Sequence, residues 1–297
     1  MPSPELQIVI DMLRAAPIFG SGDLAAMRAG MEAMAGAQAP PDDVFREDVD
    51  AGGVAAEWIR CDGVREDRCI LYFHGGAYVM GSPRTHRNLV AGIARAARAP
   101  VLSVDYRLAP EAPFPAAVDD GVRAYDFLRS SGFAARRIGV AGDSAGGGLA
   151  AATLLALRER GTELPAAAAC ISPWFDLALT GHSMHNNEDI DPMIRRADLD
   201  RMAAAYAAGQ DRRAPLISPM YADLSGLPEF LIHVGTAEAL LDDSLTFGQR
   251  MEEANGTITV DVFQDMIHVW HAFAAILPEG RVAIERIGKY FDDRLGS

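Results

Sequence analysis

Cysteine is scarce in this sequence, and so are aromatic residues and runs of basic ones. Cys61, Cys69 and Cys170 are the three thiols in 297 residues, scattered and without C-x-x-C spacing. That argues against a disulfide framework or a zinc knuckle and predicts buried strand thiols in a reducing compartment. Lys and Arg number 27 against 41 Asp and Glu, a formal net charge of −14 with no basic cluster, so nucleic acid and anionic membrane surfaces are not expected partners. No uninterrupted apolar run approaches a membrane span, and MPSPELQIVIDMLR carries acidic residues where a secretory signal carries basic ones. The expectation is a soluble, cytoplasmic protein.

Small apolar residues are plentiful instead. Hydrophobic residues make up 49% of the chain and aromatics 7%, enough for one large core, so one domain with insertions is expected. Residues 5–35 read as two helices, the second capped near Ser21–Asp23, with Leu24, Met27, Met31 and Met34 at helical spacing and Pro40–Pro41 as its stop. Val44–Val49 and Val54–Arg60 flank an Ala-Gly-Gly turn and predict an antiparallel hairpin.

From Arg68 the pattern changes. The continuous apolar runs 69–73, 101–104, 138–141, 167–171 and 230–234 alternate with helical stretches such as 116–129 and 145–160, as in a parallel sheet buried on both faces. Ile258, Val260 and Val262 alternate with polar residues, which suits an edge strand at 257–263 and a pairing surface for a homodimer. Segment 176–215 interrupts the alternation and reads as an insertion over the sheet.

Gly142-Asp143-Ser144-Ala145-Gly146 fits G-x-S-x-G between a strand and a helix. Small flanking residues let the chain turn sharply and raise the Ser144 hydroxyl above the sheet, beside unpaired N–H groups of the new helix. His74-Gly75-Gly76-Ala77-Tyr78 follows the 69–73 run and supplies N–H groups that can approach a developing oxyanion. Gly75, Gly76 and Ala145 are the expected donors, and His74 is expected to brace the loop.

These motifs resemble the hormone-sensitive-lipase branch of the α/β-hydrolase superfamily, which pairs an HGGG-type loop with a GDSAGG turn. Tyr106-Arg107-Leu108-Ala109-Pro110-Glu111, Phe114-Pro115-Ala116-Ala117, Ser172-Pro173-Trp174 and Ser225-Gly226-Leu227-Pro228 extend the resemblance over nearly the whole chain from about residue 40. Two positions depart from the pattern: Ala77 stands for the third glycine, and Glu238-Ala239-Leu240 replaces the usual D-P-L.

The resemblance implies an α/β-hydrolase fold with a helical cap, residues 1–40 forming its first part and 176–215 its second, around a catalytic domain over 41–297. It implies a Ser-acid-His triad in that chain order, with Ser144 as nucleophile, Glu238 as acid and His268 as base. Asp242 and Asp243 compete for the acid role but also suit the N-cap and first turn of a helix. His271 is the rival base, and its H-x-x-H spacing from His268 lacks a third metal ligand. Asp105, Tyr106, Arg107 and Glu111 are expected to form a buried polar cluster under the oxyanion loop, and His86, His182 and His185 to be exposed. The implied reaction is hydrolysis of short- to medium-chain carboxylic esters through an acyl-enzyme, without metal or organic cofactor. Amide or lactone hydrolysis is the nearer alternative, and a non-catalytic small-molecule receptor the remoter one.

Overall fold

Alternating side chains on short buried strands dictate the architecture. The structure, a computed structural model, describes residues 3–17, 23–36 and 43–296. Its eight strands are β1 (Val44–Asp50), β2 (Ala55–Cys61), β3 (Cys69–Phe73), β4 (Val101–Val104), β5 (Ile138–Asp143), β6 (Ala167–Ile171), β7 (Glu229–Gly235) and β8 (Ile258–Phe263). They form one sheet in the order β1-β2-β4-β3-β5-β6-β7-β8. β2 is antiparallel to both neighbours, and every pairing from β4 to β8 is parallel.

On β3, Cys69, Leu71 and Phe73 enter one core while Ile70 and Tyr72 enter another, as the period of two requires. Helices cover both faces: α1 (Pro4–Ala15), α2 (Leu24–Gly36), α3 (Pro83–Ala97), α4 (Ala116–Ser130), α5 (Ala145–Glu159), α6 (Ser183–Asn186), α7 (Arg196–Ala207), α8 (Leu241–Glu253) and α9 (Pro278–Leu295). α3 and α9 pack together on the Ile70–Tyr72 face, and α4 and α5 lie on the other. The three cysteines are free and buried in β2, β3 and β6.

The 51–53 turn closes the β1–β2 hairpin as expected, with Ala51 N donating to Val54 O at 2.7 Å. The edge strand departs from its sequence pattern: Ile258 and Val260 pack inward, but Val262 is exposed and Phe263 packs instead. On α2, Leu24, Met27 and Met31 pack inward while Met34 is exposed. Ser21, Gly22, Pro40, Pro41 and the 40/41 boundary lie outside the described residues, whereas Asp23 Oδ1 accepts from Ala25 N at 3.0 Å. The 176–215 segment holds α6 and α7, and its Met184, Leu199, Met202 and Tyr206 join the main core. Among the described residues no helix is long and apolar enough to cross a membrane.

Candidate active site

The loops following β3, β5, β6, β7 and β8 meet at the carboxyl ends of the parallel strands, where open α/β sheets bind ligands. Ser144 is the apex of the β5–α5 turn, with φ 53° and ψ −121°, a conformation that costs a side-chain-bearing residue about 1–3 kcal/mol. Neighbouring backbone holds it there. Ser144 N donates to Ile171 O at 2.8 Å, and its carbonyl accepts from Gly147 N at 3.0 Å and Trp174 N at 2.9 Å. A Cβ on Gly142 would strike the Gly146 carbonyl, and one on Gly146 would strike those of Phe73 and His74, so the turn admits only glycine at both positions.

His268 Nδ1 lies 3.0 Å from Glu238 Oε2, and both side chains are buried. Oε1 of Glu238 accepts from Ser172 Oγ at 2.8 Å and from Gly235 N at 2.6 Å. Burial holds the Glu238 carboxyl above its ordinary range despite these donors. Burial also opposes a charged His268, but the hydrogen bond and charge of Glu238, with Asp191 and Asp143 farther off, outweigh it and raise its pKa. Nε2 of His268 has no protein partner among the described residues, and His268 shares a cavity of about 100 Å³ with Ser144.

The competing acids are engaged elsewhere. Asp242 Oδ2 accepts from Ser183 N at 2.9 Å, and Asp243 Oδ2 accepts from Phe175 N and Asp176 N, each at 2.8 Å. Neither side chain caps α8; both tie down the start of the 176–215 insertion. His271 is buried and meets His233 rather than the cavity. Among the described residues no three His, Cys, Asp or Glu side chains are placed to hold a metal ion.

On the other side of Ser144 one of the expected donors is engaged within the protein. Gly75 N donates to Asp143 Oδ1 at 3.0 Å, so this N–H is already used. The N–H groups of Gly76, Ala77 and Ala145 donate to no protein acceptor among the described residues. Asp143 Oδ1 also accepts from Tyr72 OH at 2.6 Å, and Oδ2 lies 3.3 Å from His86 Nε2. His86 is therefore not exposed: it is buried on the inner face of α3 and lines the cavity. Burial works against its charged form, yet Asp143 raises its pKa; burial likewise opposes a charged Asp143, yet His86 lowers that carboxyl's pKa. His182 and His185 are exposed as expected.

His74 stacks on Tyr106 with ring centroids 4.3 Å apart, and its carbonyl accepts from Tyr106 OH at 2.7 Å. Tyr106 is the one member of the expected buried cluster that reaches the oxyanion loop. Asp105 is exposed, the half-exposed Arg107 pairs with Asp120 at 2.7 Å, and exposed Glu111 pairs with Arg28 of α2 at 2.8 Å. Arg107 and Glu111 stay partly in water and so avoid the full desolvation cost of a buried charge.

Met31 of α2, Met80 after β3, Met193 of the insertion and Phe273 complete the cavity wall. α1 has a different place: Leu6, Val9 and Leu13 pack on Met266, Ile267 and Trp270 beside His268. Arg28 Nε reaches Val79 O at 2.7 Å and pins α2 to the oxyanion loop.

A family model of the alpha/beta hydrolase fold matches residues 70–272. An acetyl-hydrolase of Streptomyces hygroscopicus is 44% identical over 100% of this chain and 99% of its own length. The crystal structure of an esterase from the bacterial hormone-sensitive lipase family superposes with a TM-score of 0.96 at 47% identity, over 100% of both chains. The chain belongs to the hormone-sensitive-lipase-like esterases of the α/β-hydrolase superfamily. An esterase of Acinetobacter venetianus is 34% identical over 80% of this chain and 78% of its own length.

Within this esterase fold, three residues have site contacts that sequence reasoning missed. Ser172, noted only as part of a motif, binds Glu238 and also accepts from Val269 N at 3.0 Å. Asp143 was an unremarked x of G-x-S-x-G, and its signal was an acid between two apolar stretches. His86 precedes Leu89, Val90 and Ile93 by helical spacing, all of them buried on α3.

Proposed function

We propose that the protein is a carboxylesterase that cleaves short acyl esters through an acyl-enzyme on Ser144. The observation that carries this reading is that Ser144 shares a small cavity with an imidazole whose Nδ1 is held by Glu238 and whose Nε2 has no partner among the described residues. His268 Nε2 takes the hydroxyl proton as Ser144 Oγ bonds to the ester carbonyl carbon, and Glu238 orients the imidazole and stabilises the imidazolium. Gly76, Ala77 and Ala145 receive the oxyanion through N–H groups that need no reorganisation. When the tetrahedral species collapses, the imidazolium returns its proton to the leaving alcohol. Water then repeats the sequence on the acyl-enzyme, giving the carboxylic acid and free Ser144.

A cavity walled by three methionines and a phenylalanine favours acyl chains of few carbons, a preference supported by the relative named an acetyl-hydrolase. Met31 and Met193 on this wall support a cap drawn from both segments. Three free buried thiols suit work in the cytoplasm. β8 pairs only with β7 among the described strands and offers an edge to a second copy, which sedimentation would detect as a dimer.

Ser144→Ala tests the central claim on chromogenic esters of rising acyl length. The expected loss is about 10⁴–10⁶ in kcat with melting near that of the parent. Substantial turnover by clean variant protein would move the nucleophile elsewhere, and equal rates on acetyl and long-chain esters would overturn the acyl preference.

A further inference from the structure

Two buried imidazoles close to the site have no part in the chemistry above. His233 on β7 and His271 in the short 3-10 turn Trp270–Phe273 are almost fully buried, and His233 Nδ1 lies 3.0 Å from His271 Nε2. Among the described residues the outer nitrogens, His233 Nε2 and His271 Nδ1, make no hydrogen bond. Beyond His233 Nε2 stands Asp261 Oδ2 of β8 at 3.6 Å, itself 3.3 Å from Arg286 of α9. The rings are enclosed by Trp270 and Phe263. Burial, then Arg286, pushes His233 down to about 3, and burial, then His233, pushes His271 well below the ordinary range. Both rings are neutral.

Two neutral imidazoles in contact share one proton, and Asp261 decides which tautomers form. A carboxylate facing His233 Nε2 favours a proton there, leaving Nδ1 as a lone pair that accepts from His271 Nε2–H. The other arrangement would set a lone pair against the carboxylate and bury an unpaired N–H on His271 Nδ1, which costs more than a bare lone pair.

The couple joins the strand that supports the acid to the loop that carries the base. His233 O accepts from Ser172 N at 2.7 Å, and Ser172 Oγ binds both Glu238 and Val269 N, next to His268. We infer that His233 and His271 are positioning residues for His268, held in matched Nε2–H tautomers by Asp261. This inference rests on the reading of His268 as the base.

The test uses His271→Phe, which keeps ring volume but loses the donor, His271→Gln, whose amide N–H can stand where Nε2–H was, and Asp261→Ala at the sheet edge. With an acetyl chromogenic ester, His271→Phe should lose about tenfold to a hundredfold in kcat with KM within about twofold, since sub-ångström displacement of a catalytic group acts on kcat. His271→Gln should recover most of that loss. Asp261→Ala should lower kcat about threefold or more without a change in KM. Imidazole ¹⁵N spectra of the parent should show both His233 and His271 as Nε2–H tautomers.

An unchanged kcat in His271→Phe, or a glutamine variant that is folded yet as slow as the phenylalanine one, overturns the inference. If His271→Phe does not fold, Asp261→Ala and the spectra decide: unchanged kcat or an Nδ1–H His271 sinks it. His268→Ala separates the two levels. Its inactivity beside a normal His271→Phe removes only the positioning role, whereas full activity in His268→Ala removes the base assignment itself.

Discussion

Ser144 stands between two buried carboxylates that receive the same three kinds of donor. Glu238 takes an imidazole from His268, a hydroxyl from Ser172 and the N–H of Gly235; Asp143 takes an imidazole from His86, a hydroxyl from Tyr72 and the N–H of Gly75. What differs is the far nitrogen of each imidazole. His86 Nδ1 is tied to Thr85 Oγ1 at 2.7 Å on the first turn of α3, whereas His268 Nε2 at the cavity has no partner among the described residues. An acid–histidine couple is therefore not by itself a proton shuttle. The couple tied at both ends is a strut for the oxyanion loop, and the one tied at a single end can move a proton.

The sharpest way to break this comparison is to delete each imidazole in turn. His268→Ala should cost about 10⁴ or more in kcat, the scale of removing a triad base. His86→Ala should cost only about 10–100-fold, through a displaced Gly75 and oxyanion loop. Equal losses, measured with one ester at saturating concentration, would erase the distinction.

Next come the carboxylates. Glu238→Gln should lose about 10²–10⁴ in kcat, because the amide favours the wrong imidazole tautomer. Asp242→Asn should stay within about threefold, since that side chain binds the insertion and not the base. A larger loss in Asp242→Asn than in Glu238→Gln would return the acid role to Asp242.

The pH profile gives a smaller but cleaner sign. His268 must be neutral to accept a proton, and its pKa is raised, so kcat/KM should fall with acid through a midpoint above the ordinary imidazole value of about 6.5. His86→Gln should leave that midpoint in place. A midpoint that follows His86 instead would exchange the two roles.

Stability should report a third class of imidazole. His74, pushed down to about 3 by burial and then His86, His233 at about 3, and His271, pushed well below the ordinary range by burial and then His233, remain neutral in the fold but protonate in the unfolded chain. Their contribution is complete above the unfolded pKa of about 6.5 and is lost as pH falls below it, by about 1.4 kcal/mol per pH unit for each. His86 and His268, with raised values, act in the opposite sense: their contribution is present below about 6.5 and lost as pH rises through the folded pKa. Melting temperature should therefore drop steeply below pH 6, and His271→Gln should flatten that slope. An unaltered slope would mean that His271 is protonated in the fold.

The sheet was legible because its strands are short continuous apolar runs, a pattern that only two-sided burial explains, and the sharp turn at Ser144 because glycines on both sides of a serine leave few alternatives. Pairing inside the site was not legible. Nothing in HGGA tells which N–H a carboxylate sixty-eight positions away will take, so the bond of Gly75 to Asp143 cannot be read from the sequence. His86 was hidden by Arg84, Thr85, Arg87 and Asn88, polar neighbours on a helix whose inner face it shares with Leu89 and Val90. Asp242 and Asp243 looked like caps because capping is a local rule, while their partners lie at the start of the insertion and just before it.

The place of α1 carries a consequence for assembly. Its Leu6, Val9 and Leu13 support the segment around His268, and Ser3 N donates to Glu279 Oε1 at 2.7 Å across 276 positions of sequence. Closing so long a loop has an entropic cost that contacts can offset only after both ends exist and meet. The turn at Ser144 needs β3, β5 and β6, which lie within one stretch of chain. The His268 side also rests on α1 and Glu279, so its packing needs a far longer loop closed than the Ser144 turn does, and shortening or loosening α1 should disturb His268 before it disturbs Ser144.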